Sequence, residues 1–312
     1  MKNKIAPYII VNAEQRTPIN RFTPVVEQYV RYRPDYPVQV IWFLKKRLVL
    51  DADFTVADIG AGTGKSSVLF LPHVRKVYGI EPNDAMRDAS KVILGSQENF
   101  IPLNGSAEQT GLGDKSVDFI VCAQAFHWFD LEKAKAEFSR VLRQNRPVLL
   151  MWNNRNDTAS NFMKAYNDFV TLYSTADRKD FRESFEPALL DKFFPHGYEQ
   201  TYFPHENELD LAGLKGLYSS ASYAFTESHP RYAEAMQALT ELFYRFEYQG
   251  KVLMAYETKL VLGMFNKKHI ALWKKVVFHL LRIPAFFAYL FLLSAMFFSS
   301  LIKKLRKKLS GG

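Results

Sequence analysis

Cysteine is almost missing: Cys122 is the one thiol in 312 residues. That excludes a disulfide framework and fits a reducing compartment. No grouping of Cys and His has the spacing of metal ligands, so a metal site is not expected. An export signal is lacking too. Ile5 to Val11 is apolar but short, and Asn12-Ala13-Glu14-Gln15-Arg16 follows where a small-residue cleavage site would stand. Acids are missing from residues 267–312, which hold ten of the 41 lysines and arginines. Residues 1–266 therefore carry 31 basic side chains against 32 acidic ones, a net charge of −1. The overall +9 belongs to the tail and gives no reason to expect a nucleic-acid partner. What is plentiful is apolar: 48% of the chain, enough for a sizeable core in one large or two ordinary domains.

Glycine is sparse, 15 in all, yet three stand at alternating positions in Val56-Ala57-Asp58-Ile59-Gly60-Ala61-Gly62-Thr63-Gly64-Lys65-Ser66. An apolar run, an acid, a glycine turn and a helix-compatible segment read as the first strand, turn and helix of a nucleotide-binding α/β unit. A phosphate loop would need glycine at Ile59, and a dinucleotide fingerprint would need it at Lys65. The remaining pattern, Asp-x-Gly-x-Gly-x-Gly, is similar to that of class I S-adenosylmethionine (SAM) methyltransferases. Asp58 suits a ligand with an ammonium-bearing tail, which a carboxylate can receive directly or through water.

From Thr55 the rhythm alternates strand and helix. It predicts a Rossmann-like, mostly parallel seven-stranded sheet with helices on both faces. Strands are expected at 55–59, 76–81, 99–103, 117–123 and 147–153, and helices at 64–72, 83–94 and 131–143. Asn83 and Asp130 are expected as N-caps. Before the sheet, a helical region from Phe22 to about Val49 is broken by Arg31-Tyr32-Arg33-Pro34-Asp35-Tyr36-Pro37. That break is either a structural loop or a cover in which Tyr29 and Arg33 close a pocket. After it, residues 155–250 are aromatic-rich: Phe162, Tyr166, Phe169, Tyr173, Phe181, Phe185, Tyr218, Tyr223, Phe225, Tyr232, Phe243, Tyr244 and Phe246. Most of them predict the core of a helical cap, and some could line an apolar substrate pocket. Two further strands, Glu199–Phe203 and Lys251–Phe265, would complete the sheet.

Several residues at strand ends invite two readings each. Glu81, 23 residues past Asp58, could accept both hydroxyls of a ribose or cap a helix. Ser106-Ala107-Glu108 could face an adenine edge or form an ordinary turn. His127, in Ala123-Gln124-Ala125-Phe126-His127-Trp128-Phe129-Asp130, could be a general base or hold its loop. Trp128 would be a pocket wall.

The motifs together resemble one branch of the class I SAM-dependent methyltransferases, the branch containing trans-aconitate methyltransferase. They are Tyr29…Arg33-Pro34…Tyr36-Pro37, the Asp58–Gly64 turn, Gly79-Ile80-Glu81-Pro82…Met86, Gly105-Ser106-Ala107-Glu108, Ala125-Phe126-His127-Trp128-Phe129, Arg140-Val141-Leu142 and Trp152-Asn153. Ser219–Tyr223 resembles a cap-helix pattern of that branch, and the likeness runs from about residue 21 to 265. By this resemblance Asp58, Gly60, Gly62 and Gly64 would hold the methionine part of SAM, Glu81 the ribose, and Pro82 and Met86 the adenosine. Ser106, Ala107 and Glu108 would face adenine, and Gln124 and Ala125 would lie beside the sulfonium. Tyr29 and Arg33 would close the pocket, while Trp128, Ser222 and Tyr223 would meet the acceptor. One departure is Gln144-Asn145-Arg146-Pro147, where the family often has Pro-Gly-Gly. Asn145 can adopt the left-handed conformation such a turn requires.

The tail has no counterpart in that family. Ile270, Trp273, Val276, Val277, Leu280 and Leu281 share one helical face, opposite Lys274, Lys275, His279 and Arg282. This is a basic amphipathic helix suited to an anionic membrane surface. Ile283–Ile302 follows, twenty residues without charge, long enough as a helix to cross about 30 Å of hydrocarbon. Five positive charges on either flank leave its orientation open. A spanning or re-entrant anchor, an interfacial helix and a buried dimerisation helix are the three forms it could take.

The expected organisation is thus an N-terminal helical segment (1–50), a SAM-binding core (51–155), a cap with the last two strands (156–266) and a membrane-associated tail (267–312). The expected activity is methyl transfer from SAM to a small, lipophilic carboxylate or hydroxyl acceptor, at the cytoplasmic face of a membrane held through residues 269–308. The alternative is a catalytically inactive SAM-binding regulatory or scaffold protein.

Overall fold

Runs of Val, Ile, Leu and Phe without polar alternation make the middle of the sheet, as strands covered on both faces require. They are β1 (Thr55–Ile59), β2 (Lys76–Ile80), β3 (Phe100–Leu103), β4 (Phe119–Ala123) and β5 (Val148–Arg155). All residues of β1 and β4 are buried. Two later strands, β6 (Tyr198–Leu209) and β7 (Val252–Gly263), complete a seven-stranded sheet of order β3-β2-β1-β4-β5-β7-β6. The sheet is mixed: β7 is antiparallel to both neighbours, and the others run parallel. The computed structural model describes residues 26–47, 49–175, 187–221 and 223–265, which belong to one compact unit ending at Phe265. The arm at 1–20, Phe181, Phe185, Ser222 and the whole tail, for which membrane association was expected, lie outside the described residues. Among the described residues no helix is long and apolar enough to cross a membrane.

The helices follow from local signals. α1 (Val26–Tyr32) and α2 (Gln39–Lys46) flank the Pro34/Pro37 break. α3 (Lys65–Phe70) follows the glycine turn and is cut short by Pro72, where a 3-10 turn takes over. α4 (Asp84–Leu94) is capped by the Asn83 side chain on Met86 N–H, and α5 (Leu131–Val141) by Asp130 on Lys133 N–H, both as expected. The β4–β5 connection turns at Asn145, with φ of 62°, so the turn survives without glycine.

One core lies under α5 and α7 (Pro187–Phe193), where Phe126, Phe138, Trp152, Phe193 and Phe194 pack on the sheet. A second forms the expected cap, from α6 (Asn161–Leu172), α8 (Leu211–Ser219), α9 (Tyr232–Phe246) and the inner face of β7. Phe162, Tyr166, Phe169, Tyr173, Tyr218, Phe225 and Phe243 are buried in it, while Tyr244 is exposed.

Strand register sets where a site can be. Pairing of β4 with β5 stops at Ala123 opposite Met151. β5 runs on to Arg155, paired only with β7, where Asn153 faces Thr258 and Arg155 faces Tyr256. Tyr256 in turn faces His205 of β6. A three-stranded ledge therefore projects past the ends of the parallel strands, the end at which open α/β sheets bind ligands.

Candidate active site

The turn after β1 is built from three glycines in left-handed conformation, with φ of 69° at Gly60, 57° at Gly62 and 88° at Gly64. Their reasons differ. A Cβ on Gly60 would lie 2.5 Å from the Cβ of Ala125, and one on Gly64 would lie 2.5 Å from Leu94. Those two glycines let β1 approach the β4 loop and α4. A Cβ on Gly62 would meet nothing within 4 Å, so this glycine faces open space.

Asp58, fully buried at the end of β1, accepts the hydroxyls of Ser66 at 2.7 Å and Ser67 at 2.6 Å on Oδ2. Its Oδ1 is buried without a hydrogen-bond partner. Burial raises the pKa of Asp58 to about 6 against the pull of both hydroxyls. A buried carboxylate oxygen lacking a donor, beside an open glycine turn, fits a ligand that brings an ammonium or a water-borne donor. Glu81, at the end of β2, is buried as well. Its two oxygens accept Gly62 N–H and Asn83 N–H, each at 2.8 Å. Burial raises its pKa against these two bonds. A carboxylate has about four acceptor positions, so two remain for a pair of hydroxyls. Glu81 thus braces the turn and keeps acceptor capacity, while the cap of α4 is made by Asn83 instead.

The structure places the remaining expected residues around this turn with mixed results. Met86 is buried in the first turn of α4, and Pro82 is half-buried before it. Ser106 closes a turn, its Oγ accepting Glu108 N–H and Gln109 N–H at 3.2 Å each. Ala107 is buried. Glu108 reaches away to accept Asp130 N–H at 2.8 Å, bracing the start of α5. Gln124, at the end of β4, has φ of 57°, a rare conformation for a residue with a side chain. It is held by Met151 O at 2.8 Å and by its own amide on Asn153 O at 3.2 Å. Strain of this kind gathers at functional sites. His127 and Trp128 sit on a 3-10 turn, their ring centroids 4.8 Å apart. Phe126, packed edge-on against Trp152 and Phe193, pins that turn to the core.

Arg33 donates to Ser220 O at 3.0 Å, tying the proline break to the cap. In the same strap Asp35 pairs with Lys65 at 2.9 Å, and its carbonyl accepts from Asn153 at 3.1 Å. Tyr29 lies on α1, and its side chain is outside the described set. Tyr223 meets Arg155 at the end of the ledge, at 3.3 Å. Sequence reasoning missed Arg155 and Tyr256 as candidates and gave Tyr166 only as one of the cap's many aromatics. The available signal for Arg155 was the polar end, Asn153-Asn154-Arg155, of a strand that is apolar from Val148 to Trp152. Among the described residues no group of His, Cys, Asp and Glu could hold a metal ion.

Comparison with known proteins points the same way. The family described as "Methyltransferase domain" matches residues 57–149, the span from β1 into β5. An "uncharacterized methyltransferase-like" protein of Schizosaccharomyces pombe is 27% identical over 248 residues, 77% of this chain and 93% of the relative. A "putative methyltransferase" of Dictyostelium discoideum is 30% identical over 183 residues, 54% of this chain and 67% of the relative. Among solved structures, one described as a "putative type II methyltransferase" from Anaeromyxobacter dehalogenans covers 75% of this chain and 98% of its own length. Its TM-score is 0.55 at 19% identity, a likeness of fold. With the glycine turn, the strand order and these relatives together, the chain belongs to the class I SAM-dependent methyltransferase family.

Proposed function

We propose that this methyltransferase transfers the methyl group of SAM to a small, lipophilic carboxylate or hydroxyl acceptor at a membrane. The observation that carries the cofactor reading is the unpartnered Asp58 Oδ1 beside the open space at Gly62. Asp58 receives the ammonium of the amino-acid tail, and the turn from Gly60 to Gly64 lets the backbone approach it. Glu81 takes the ribose hydroxyls, and Pro82 and Met86 lie along the adenosine. The Ser106–Glu108 loop borders adenine through Ala107 and its backbone, since the Ser106 and Glu108 side chains are engaged elsewhere. Gln124 and Ala125 border the sulfonium, and Tyr29 and Arg33 close the site over it. Shared motifs support a place beside the trans-aconitate methyltransferase branch.

Bound SAM supplies an electrophilic methyl carbon, and in-line displacement needs chiefly an acceptor held in line at about 3 Å. The chain's own contribution is therefore positioning and exclusion of water. Trp128, Ser222 and Tyr223 border the acceptor. A carboxylate needs no base. For a hydroxyl, His127 would take the proton, as an imidazole can near neutral pH. Membrane association comes from residues 269–308, whose amphipathic and uncharged stretches match the headgroup layer and the hydrocarbon, with the enzyme on the cytoplasmic face.

Titration of the full chain with SAM, ATP and NAD by calorimetry tests the cofactor, and release of label from methyl-labelled SAM with membrane-lipid extract tests turnover. SAM is expected to bind far more tightly than the other two. Equal affinities would overturn the reading, and tight SAM binding without turnover would favour a regulatory SAM-binding protein.

A further inference from the structure

At the projecting end of β5 the cap and the ledge bring together one arginine and three phenols, with Asp157 as the carboxylate beside them. Arg155 is half-buried there, its side chain 13% exposed. Its Nε donates to Asp157 at 3.0 Å, its Nη1 to the Tyr223 hydroxyl at 3.3 Å, and its guanidinium lies 5.0 Å from the Tyr166 ring centroid. Asp157 thus occupies one side of the guanidinium only. Tyr166 and Tyr256 are almost wholly buried, yet neither hydroxyl has a hydrogen-bond partner among the described residues. Tyr223 accepts from Arg155 and keeps its own proton to donate.

The protonation states agree with this picture. Burial alone would lower the pKa of Arg155, but Tyr223, Tyr166 and Asp157 outweigh it and hold it above the ordinary value. Burial raises the pKa of Tyr166 and of Tyr256, so both phenols keep their protons. Neither hydroxyl is among the buried side-chain atoms left without a partner, so both open onto accessible space in which a ligand can accept from them. A purely structural arginine would be expected to spend its neighbours' hydroxyls on itself. Here two of three phenols do not bond it.

We infer that Arg155, Tyr166, Tyr223 and Tyr256 form a recognition site for a carboxylate on the methyl acceptor. A guanidinium fork matches the two oxygens of a carboxylate, and the phenol protons supply the remaining donors. The surrounding cap, with Phe169 and Tyr218 in its core, suits an apolar body behind the charged end. The site lies close to the cofactor side. The Gln124 amide bonds Asn153 O, two residues and about 7 Å before Arg155 along β5. A small acid could thus be anchored at one end while another of its atoms faces the methyl donor. This rests on the methyltransferase reading, and it narrows the acceptor to an acid.

The test loads the full chain with S-adenosylhomocysteine and titrates millimolar aliphatic and aromatic carboxylates, each paired with its primary amide. Acids are expected to bind at least tenfold more tightly than their amides. Arg155→Gln should weaken acid binding on the order of 10–100-fold, the loss expected for hydrogen bonds to a charged group, and leave S-adenosylhomocysteine affinity unchanged. Tyr256→Phe keeps the arginine and the packing, so it serves if Arg155→Gln does not fold. It should weaken acids several-fold and amides not at all. Acids and amides binding alike, no acid binding, or acid affinity unaltered in Tyr256→Phe and in a folded Arg155→Gln would overturn the proposal. Failure of the methyltransferase reading would show separately, as loss of S-adenosylhomocysteine binding by the wild-type chain.

Discussion

Asp58 combines a raised pKa with an unsatisfied oxygen, and the sign of its pH dependence follows. In the ligand-free fold it titrates near pH 6, because burial disfavours its charge. An ammonium beside it would favour the ionised form and lower that pKa. SAM should therefore bind best above pH 6 and weaken as pH falls through 6, by at most tenfold per unit. Calorimetry from pH 5 to 8 measures this, and an affinity that rises on acidification would contradict it. Asp58→Asn should remove the dependence and weaken SAM binding without unfolding the protein, since it deletes a buried charge. The glycines separate two kinds of loss. Gly60→Ala adds a clash with Ala125 to left-handed strain and should destabilise the fold by about 2–5 kcal/mol. Gly62→Ala meets open space, so it should cost only about 1–2 kcal/mol of strain while filling the approach to the ligand. Denaturation and SAM titration on the two variants should rank them oppositely. If His127 is the base, His127→Gln should slow turnover by about 10²–10⁴ and leave SAM affinity intact. A folded variant with full turnover would rule that out. Much of this site was legible in the sequence because Asp58, the glycines and Glu81 act within one strand-turn-helix stretch or its neighbour. The engagements of Ser106 and Glu108 were not, because a turn and a helix start 22 residues away decide them. Arg155, Tyr166, Tyr223 and Tyr256 come from four separate segments, and only the β5–β7 register and the cap's packing bring them together.

At the scale of elements, α5 carries the loop of His127 at its N-terminus and is anchored by Glu137. That carboxylate accepts Thr110 N–H at 2.8 Å, the Thr110 hydroxyl at 2.6 Å, and Arg140 at 2.8 Å. Arg140, outweighing burial and aided by Thr110, lowers the pKa of Glu137 to about 2. A depressed carboxylate stabilises the fold above its unfolded pKa and loses that contribution as pH falls through the folded value. Glu137→Ala should therefore cost about 1–3 kcal/mol at pH 7, because it strands the fully buried Thr110. The gap from wild type should narrow as pH approaches 2, by the part that the charge of Glu137 on Arg140 contributes, and denaturation at both pH values measures this. A gap independent of pH would mean that packing, not charge, accounts for it. The parallel strands could be read in advance because each is a local apolar run with its own punctuation. β6 could not be read in full. It was expected to end at Phe203 and runs to Leu209, because an edge strand tolerates Pro204, Glu206 and Glu208 on its exposed side.

For the molecule as a whole, the last residue with a packing role in the described unit is Phe265. Its ring stacks on Phe194 and meets Phe193 edge-on. A chain ending after Asn266 should fold, bind SAM as the full chain does and stay out of membranes. The full chain should resist carbonate extraction. Recovery of the full chain in the aqueous fraction as a monomer would refute the proposed anchor. A chain ending after Tyr256 should fail to fold, since half of β7 and its partners' pairing would be gone. The position of β7 also bears on how the protein is made. β7 is the last strand among the described residues, yet it lies between β5 and β6 in space. While the polypeptide grows from its N-terminus, β1 to β5 can assemble as soon as they emerge. β6 then has no neighbour to dock on until residues 252–263 have been synthesised and threaded between it and β5. During that interval the nascent chain presents the free edge of β5 and an unclaimed twelve-residue strand. Completion of the sheet, and with it of the arginine–tyrosine cluster, waits on the final stretch of translation of the folded unit.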